Sequence, residues 1–363
     1  MGTSRVVPAL LGLSAFAFYI TWGASLSNGT LDRMLHIRGA AVPCIPGTHE
    51  PLRLRFTGIA PIDYWCTIMV LFFWEAVDGS HPATSMNGIY FLGQLVGIWT
   101  LVWVEGIRRG ERHMVAKAAL WALAMQNFTL ACIGPIYFAL HLEASHNVRA
   151  PAARQLRYLP WSMVLGYVVP SIMLGLPSPN VVSYPAQQAA IALWTPFPVW
   201  VGLIHSLLSW CGGHIYNISP EPAAERSSKI YLHAARPVYL FAVIGSAIVH
   251  IGTVVTSLST VVFPSLFVAS AREALAPQTL LFPRNLLLDS IGAGVLNFMQ
   301  WDQWVGYAAL WMWVLKITQE GGMRVQTKAG LLWRALEVVV CVALLGPGGA
   351  AVLFVWRRDE TVE

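Results

Sequence analysis

The chain has 363 residues, of which 56% are hydrophobic and only 11% are charged. Soluble globular domains carry about 25% charged residues, so this composition excludes an ordinary soluble domain and predicts a polytopic membrane protein. The net charge of +5 is spread over short loops and gives no indication of nucleic-acid binding. The five cysteines are scattered and form no CxxC pair, which argues against a zinc site or a disulfide framework.

Nine apolar segments are close to the ~20 residues that an α-helix needs to cross the hydrocarbon core of a bilayer. They are residues 6–26, 59–77, 86–106, 116–141, 159–176, 187–210, 236–257, 291–317 and 331–356. The eighth carries a polar interruption, so we predict one all-α membrane helix bundle, residues 1–363, with about eight or nine transmembrane helices. Residues 259–285 are apolar but contain three prolines, which predicts a re-entrant or interfacial element.

Carboxylates interrupt these apolar segments, although an ionised side chain in a bilayer costs about 2.5 kcal/mol or more. Asp63, Glu75, Glu105 and Asp302 lie inside or at the ends of predicted helices. If the chain reverses direction through nine spans, then Asp63, Glu105, Asp302 and His250 fall in the same half of the membrane. The sequence therefore predicts a cluster of acids with one imidazole at similar depth.

Each carboxylate also has a structural interpretation. Asp63 can cap a helix near the interface, and Glu105 can pair with the arginines that follow it. Glu75 and Asp78 are three residues apart, where like charges repel unless one is protonated or a cation is near. Asp302 is the hardest to explain in this way, because tryptophan and glutamine flank it inside an apolar helix.

Tryptophan is abundant, with 16 in the chain, and several lie in the segments that carry the carboxylates. Aromatic faces attract desolvated cations by roughly 0.5–2 kcal/mol each, so rings around acids are typical of a cavity that holds a cation. Core packing is the alternative for any single ring. The side chains predicted to shape a substrate cavity are Trp65, Trp103, Trp301, Trp304, Glu75, Asp78, Gln126 and His250.

Several catalytic motifs are absent from the sequence. It has no aspartate-rich magnesium-diphosphate motif, which argues against a terpene synthase that ionises a diphosphate. GxSxG, HExxH, P-loop and GxGxxG motifs are also absent, so hydride chemistry and ATP coupling have no visible site. We expect neither a metal nor a cofactor.

Four motifs carry a family resemblance that covers most of the chain. Ile62–Asp63 opens the second segment and LFFWEAVDG closes it, EGIRRGER follows the third, and QWDQWVGYAALWMW lies in the eighth. With these motifs the chain resembles the fungal integral-membrane terpene cyclases that act on prenylated aromatics in meroterpenoid pathways. The similarity is to the ascofuranone-cyclase and drimane-forming macrophorin-cyclase type.

The resemblance implies a proton-initiated cyclisation without a metal, in which a neutral carboxylic acid protonates an epoxide or a terminal alkene of a farnesyl-like chain. Burial or a second carboxylate keeps such an acid protonated near neutral pH. Asp302 is then the predicted general acid, and Asp63 and Glu105 hold its proton or hydrogen-bond it. The implied partners are a prenylated small molecule and the endoplasmic reticulum bilayer, with a monomeric multi-pass protein and no nucleic acid.

Two other functions remain open from the residues alone. A proton-coupled transporter or lipid carrier uses buried acids as a relay, but transporters often have two related halves and none is visible here. A membrane acyltransferase built on His205 or His250 is a third interpretation, for which the sequence offers no clear partner motif.

Overall fold

The structure, a computed structural model, describes residues 3–109, 114–144, 153–215, 228–283, 290–323 and 327–362. These residues are helical apart from loops and one isolated bridge, between Cys44 and Pro51. The helices are α1 (Thr3–Phe18), α2 (Ala24–Ser27), α3 (Thr30–Gly39), α4 (Ala60–Val77), α5 (Pro82–Arg109), α6 (Ala118–Phe128), α7 (Leu130–Glu143), α8 (Ala153–Met163), α9 (Val169–Leu174), α10 (Tyr184–Trp194), α11 (Phe197–Ile215), α12 (Ser228–Val262), α13 (Ala269–Leu275), α14 (Pro277–Leu281), α15 (Ile291–Glu320) and α16 (Lys328–Val362). The predicted all-α class is confirmed.

Several of the described helices are long and apolar enough to cross a membrane. By length and composition these are Arg5–Ser27, Ala60–Val77, Pro82–Arg108 and Ile230–Val262; the segment Lys328–Thr361 also has the length and composition of a span, but it is bent at Gly346. The pair α10 and α11, bent by 66°, adds a sixth span if its two halves act as one. A membrane-embedded helical bundle is therefore supported, and the count of eight or nine spans stays a prediction.

Helices α5 and α15 begin at the same end of the bundle, where the loop 78–81 joins α4 to α5. Thr84, in the first turn of α5, donates from Oγ1 to the carbonyl of Gly292, in the first turn of α15, at 2.8 Å. Further along, Gln303 donates to Asn87 at 2.7 Å. The two helices run in the same direction, whereas alternation through nine spans predicts opposite directions.

The reason is that the segment predicted as the fourth span turns back on itself. The rings of Trp121 in α6 and Tyr137 in α7 are 5.6 Å apart, although a continuous helix would separate them by about 24 Å. Helices α6 and α7 therefore form an antiparallel hairpin whose tip is Thr129. The prediction of one span over 116–141 is wrong, and one reversal of direction is lost.

Helix α16 forms a second hairpin, folded at Gly346, whose φ of 75° and ψ of 167° are not helical. Arg357 pairs with Glu337, and the guanidinium of Arg334 lies 5.4 Å from the ring centre of Phe354. Each pair is 20 residues apart, or about 30 Å in a straight helix. Residues 328–345 and 347–362 are thus two antiparallel legs, so 331–356 is not a single span either.

Both hairpins have their open ends at the end of the bundle opposite loop 78–81. His141 of α7 and Arg358 of α16 both contact Glu105, near the end of α5. The tip of the second hairpin lies halfway along α5, where the backbone N–H of Gly348 donates to Gln94 Oε1 at 3.0 Å. The first tip lies halfway along α15, and the two hairpins therefore bring two helix N-termini into the centre of the bundle.

The segment with three prolines forms α13 and α14, of 7 and 5 residues, which are too short to cross a bilayer. Gln300 and Asn87 donate to the carbonyl of Leu280 at 3.0 and 2.9 Å, and Trp304 donates to the next carbonyl at 2.8 Å. The polar residues around Asp302 therefore hold this segment against α5 and α15. Its re-entrant or interfacial character stays a prediction, and residues 284–285 lie outside the described part.

Candidate active site

A cavity of about 240 Å³ lies between loop 78–81 and the tip of the first hairpin. Its outer end is at Gly79, which is exposed, and at Ser85. Its inner end is formed by the hairpin tip, from Met125 to Leu130. The cavity therefore extends from loop 78–81 to the tip of the first hairpin, inside the bundle.

The walls of the cavity are mainly aromatic and aliphatic. They are stripes of residues spaced three or four apart on single helices, which is the spacing of one helix face. The aromatic lining residues are Trp22, Phe72, Phe73, Phe91, Trp99, Trp194 and Phe298. Phe298 meets Trp22 and Phe72 edge to face, at 5.3 Å between ring centres in each pair, so the rings support one another.

Asp302 is buried and is the one acidic side chain among the described residues that line this cavity. Its Oδ1 accepts a hydrogen bond from the backbone N–H of Ala131 at 2.6 Å. Ala131 is the second residue of α7, and the first N–H groups of a helix have no partner within the helix. Asp302 therefore caps α7 from a different helix while it lines the cavity.

Thr129, between α6 and α7, has a backbone conformation that is almost confined to glycine. Its φ is 79° and its ψ is 152°. Its hydroxyl accepts from the N–H of Cys132 at 3.2 Å, which caps the new helix. Strained backbone of this kind costs about 1–3 kcal/mol and clusters at functional sites. Thr129 lines the cavity beside Asp302.

The four tryptophans predicted to shape the site are not among the lining residues. Trp301 and Trp304 lie one position before and two positions after Asp302 on α15. Residues so spaced do not share a face of a helix, so both rings point away from the face that carries Asp302. Trp301 packs edge-on against Phe16 at 6.0 Å, and Trp304 is 48% exposed. The residues that share the Asp302 face are Phe298 and Met299, four and three positions earlier.

Asp63 is bound to the loop before α4. Its Oδ1 accepts from the N–H groups of Phe56 and Thr57 at 3.0 and 2.7 Å, and from the Thr57 hydroxyl at 2.9 Å. Its Oδ2 accepts from the N–H of Gly58 at 3.0 Å. These four hydrogen bonds hold the loop in place and lie away from Asp302.

Glu105 lies in a buried charged network at the open ends of the hairpins. Its Oε2 is 3.1 Å from His141 Nε2, and its Oε1 accepts from Arg358 at 2.6 Å. Trp313 of α15 donates to the other ring nitrogen of His141 at 3.1 Å. Glu105 thus joins α5 to α7 and α16, and His141 extends the network to α15.

The same network continues through Asp359. Arg108 donates to its Oδ1 at 2.6 Å, and the hydroxyls of Tyr231 and Tyr239 donate to its Oδ2 at 2.6 and 2.5 Å. The EGIRR part of the third motif therefore supplies helix-joining contacts through Glu105 and Arg108. Arg108 and Arg358 each lie close to both carboxylates, Glu105 and Asp359.

The remaining predicted site residues have separate positions. Glu75 accepts from the N–H of Gly292, and Asp78 accepts from the N–H and hydroxyl of Ser80 at 2.9 and 2.7 Å. His250 Nε2 is 3.0 Å from the carbonyl of Ala343, in the second hairpin. Gln126, at the tip of the first hairpin, lines the cavity.

The structure does not bring the three predicted catalytic carboxylates together. Ala131 and His141 are ten residues apart on α7, which separates their partners Asp302 and Glu105 by roughly 15 Å along the helix axis. The expected cluster at one depth is therefore not found, because α15 runs opposite to its predicted direction. Catalytic roles for Asp63 and Glu105 stay predictions. No group of three or more potential metal ligands occurs among the described residues.

Comparison with known proteins identifies the family. The CtvD domain model matches residues 5–363. The chain belongs to the CtvD domain family. Its relatives include Terpene cyclase ctvD of Aspergillus terreus, 27% identical over 362 residues, which are 97% of this chain and 98% of that protein. Terpene cyclase janA of Penicillium janthinellum is 28% identical over 356 residues, 95% and 92% of the two chains.

A further relative of this CtvD-family chain is Terpene cyclase ascI of Acremonium egyptiacum, 26% identical over 369 residues, 97% of this chain and 90% of that protein. No solved structure matches the chain. The resemblance to fungal terpene cyclases, inferred from the four motifs, is confirmed.

Proposed function

We propose that this chain is a terpene cyclase that protonates and cyclises a farnesyl-like prenyl chain. The substrate of this proposal is a prenylated aromatic compound or the epoxide of that compound. The observation that supports this most is a buried acid, Asp302, which is the one acid among the described lining residues of a cavity whose walls are mainly aromatic and aliphatic. The relatives are named terpene cyclases, and this chain shares nearly their whole length.

The reaction begins with transfer of the Asp302 carboxyl proton to the distal end of the prenyl chain. With an alkene, its π electrons form the new C–H bond and leave a tertiary carbocation. With an epoxide, the proton goes to oxygen and the C–O bond breaks to a carbocation and a hydroxyl group. The resulting carboxylate keeps the N–H of Ala131 as a donor, and the N-terminal dipole of α7 favours that negative charge.

The cation then passes along the chain as each double bond attacks the previous cationic carbon and forms a ring bond. Phe72, Phe298 and Trp99 present rings to this path. Each ring stabilises a desolvated cation by roughly 0.5–2 kcal/mol. The aliphatic residues of the wall, among them Met69, Leu92 and Leu95, exclude water that would end the cyclisation early. The reaction sequence ends when a proton leaves a carbon next to the cation, or leaves a substrate hydroxyl that has captured the cation. This proton returns to the Asp302 carboxylate or to solvent, which completes an isomerisation in which no diphosphate is cleaved.

The setting proposed for this reaction is a monomeric multi-pass protein of the endoplasmic reticulum membrane. Its long apolar helices favour insertion, and a prenylated substrate partitions into the same bilayer. Proton-coupled transport is less well supported, because Asp63, Glu105 and Asp302 have separate partners and do not form a series.

The test uses membranes from a host that expresses the full chain. Farnesylated phenols with and without a terminal epoxide are supplied in EDTA, and products of unchanged mass are separated by chromatography. Asp302→Asn should lower turnover by about 10²–10⁴-fold, the usual contribution of general acid catalysis. Asp32→Asn, at an exposed position on α3, is the matched control.

Retained cyclisation by folded Asp302→Asn would contradict the assignment of the acid. Failure of the folded wild-type chain to convert any prenylated phenol would contradict cyclisation of this substrate class. Loss of turnover on addition of EDTA would contradict the metal-independent mechanism.

A further inference from the structure

Helix α5 contains four glycines, and three of them allow close packing. A Cβ atom at Gly93 or Gly97 would come within 3.0 Å of α12 or α16, and one at Gly106 would lie 3.2 Å from the carbonyl oxygen of Ala116. A side chain at any of these positions would push neighbouring helices or backbone apart. Helix packing accounts for these three glycines.

Gly88 is the fourth, and packing does not account for it. Among the described residues, the one atom within 4 Å of a Cβ at this position is Met299 Cε, at 3.9 Å, an ordinary van der Waals distance. Its backbone is helical, so no left-handed conformation requires glycine. Glycine weakens a helix interior relative to alanine, so another property of the position must favour it.

The space beside Gly88 is the cavity. Gly88 and Met299 both line it, and Met299 precedes Asp302 by one turn on the same face of α15. Gly88 follows Ser85, at the outer end, by one turn of α5, and Leu92 continues the same stripe inward. Because Gly88 has no side chain, the cavity is wider at this point, between α5 and Met299 of α15.

A prenyl chain must fold on itself for ring closure, and a folded chain needs more width than an extended one. The exposed end of the cavity at Gly79 favours the polar group of the substrate, because burying an unpaired polar group is costly. The distal end of the chain then lies inward, near Asp302. The folded part of the chain occupies the section that Gly88 widens.

We infer that Gly88 is a specificity-determining residue, which sets the size of the prenyl chain that can fold beside Asp302. This inference rests on the proposed cyclase function for the identity of the ligand. A larger side chain at position 88 fills part of the cavity and disfavours farnesyl chains more than geranyl chains. One methylene too many in an apolar pocket changes discrimination by roughly 10–200-fold.

The test measures binding separately from turnover. In detergent-solubilised full-length Asp302→Asn, whose amide keeps one oxygen acceptor for the N–H of Ala131, the dissociation constants of a geranylated and a farnesylated phenol are determined by equilibrium dialysis. Gly88→Leu in that background should lower the farnesyl-over-geranyl affinity ratio by about tenfold or more, with Gly88→Ala between it and the parent. The same order is expected for kcat/KM ratios with Asp302 intact.

Gly252→Leu is the matched control, since Gly252 is exposed on α12 with no atom within 4 Å of a Cβ, and it should leave both ratios unchanged. Ratios within twofold of the parent in Gly88→Leu, or equal losses for both chains, would overturn the inference. If Gly88→Leu does not fold, Gly88→Ala decides the question in the same way, because its Cβ fits. A shifted binding ratio without wild-type turnover would overturn only the proposed reaction.

Discussion

Thr129 and Gly346 adopt the same backbone conformation at the tips of the two helical hairpins. Their φ and ψ values are 79° and 152° for Thr129, and 75° and 167° for Gly346. Both residues end one helix and start another that runs back in the opposite direction. Glycine adopts this region without steric cost, and threonine does not. The first hairpin therefore carries strain at its tip that the second avoids.

Thr129→Gly should increase the free energy of unfolding by about 1 kcal/mol. Relief of the strained conformation contributes roughly 1–3 kcal/mol. Against this, the greater freedom of glycine in the unfolded chain costs about 0.4–1 kcal/mol, and loss of the cap costs a few tenths. Denaturation followed by tryptophan fluorescence in detergent measures the difference. A lower stability of Thr129→Gly would show that the hydroxyl of Thr129 outweighs the strain.

Gly346→Ala is the reciprocal change at the second tip. A Cβ at this position meets the side chain of Gln94, which also accepts from the N–H of Gly348. Strain and steric conflict act together, so we expect a loss of about 2–4 kcal/mol. A neutral effect of this substitution would argue that the tip can move away from α5.

The two hairpins differ in how far the sequence could predict them. Residues 346–349 read GPGG, and a Gly-Pro step within an apolar segment indicates a turn. The length of the segment 331–356, taken alone, predicts a single span instead. The first tip reads Asn127–Phe128–Thr129, without glycine or proline, inside a segment of the right length for a span. Its fold depends on Asp302, far away in the chain, which supplies the acceptor for the new helix.

The sequence predicts the acid of the site, Asp302, but it does not predict most of the residues around it. Asp302 stands out because it interrupts an apolar helix, and it does line the cavity. The tryptophans next to it in sequence point to other faces, whereas the i−3 and i−4 positions, Met299 and Phe298, share its face. Helical periodicity was enough to find these two. Trp22 and Trp194 come from other elements, and only the tertiary fold brings them to the cavity.

Two tryptophans one turn apart on α5 test whether the aromatic residues that line the cavity contribute to catalysis. Trp99 and Trp103 are 1% and 4% exposed, but only Trp99 is among the lining residues. Trp99→Leu should lower kcat/KM roughly 2- to 30-fold, the worth of one ring next to a cation. Trp103→Leu loses a buried ring of the same size and serves as the control. Turnover per folded molecule measures the effect, and equal losses in both variants would contradict the assigned wall.

The effects of Asp63→Asn on stability and on kcat distinguish a structural role of this carboxylate from a catalytic one. Asparagine cannot accept at all the positions where the two Asp63 oxygens accept from Phe56, Thr57 and Gly58. We expect Asp63→Asn to be less stable than the wild type, because hydrogen bonds to a charged carboxylate are lost. Its kcat per folded molecule should stay within twofold of the wild type. A fall of about 10² or more in kcat with unchanged stability would restore Asp63 to a catalytic role.

Glu105 and Arg358 form a buried pair that closes the open ends of both hairpins against α5. Removal of one partner leaves an uncompensated buried charge, so Arg358→Met should cost about 3–5 kcal/mol of stability. Glu105→Gln should cost a similar amount. The double variant should lose less than the sum, by a coupling free energy of about 0.5–3 kcal/mol, because neither charge is then left alone.

The exposed pair Arg236 and Glu360, 3.2 Å apart at the same end of the bundle, is the matched control for this cycle. Its coupling should be no more than about 1 kcal/mol, since solvent screens surface pairs. Chemical denaturation of the four proteins in each cycle gives both coupling energies. The kcat of each folded variant should be unchanged, because the network lies roughly 15 Å from Asp302 along α7. Additive effects of Glu105→Gln and Arg358→Met would contradict an energetic coupling between these two side chains.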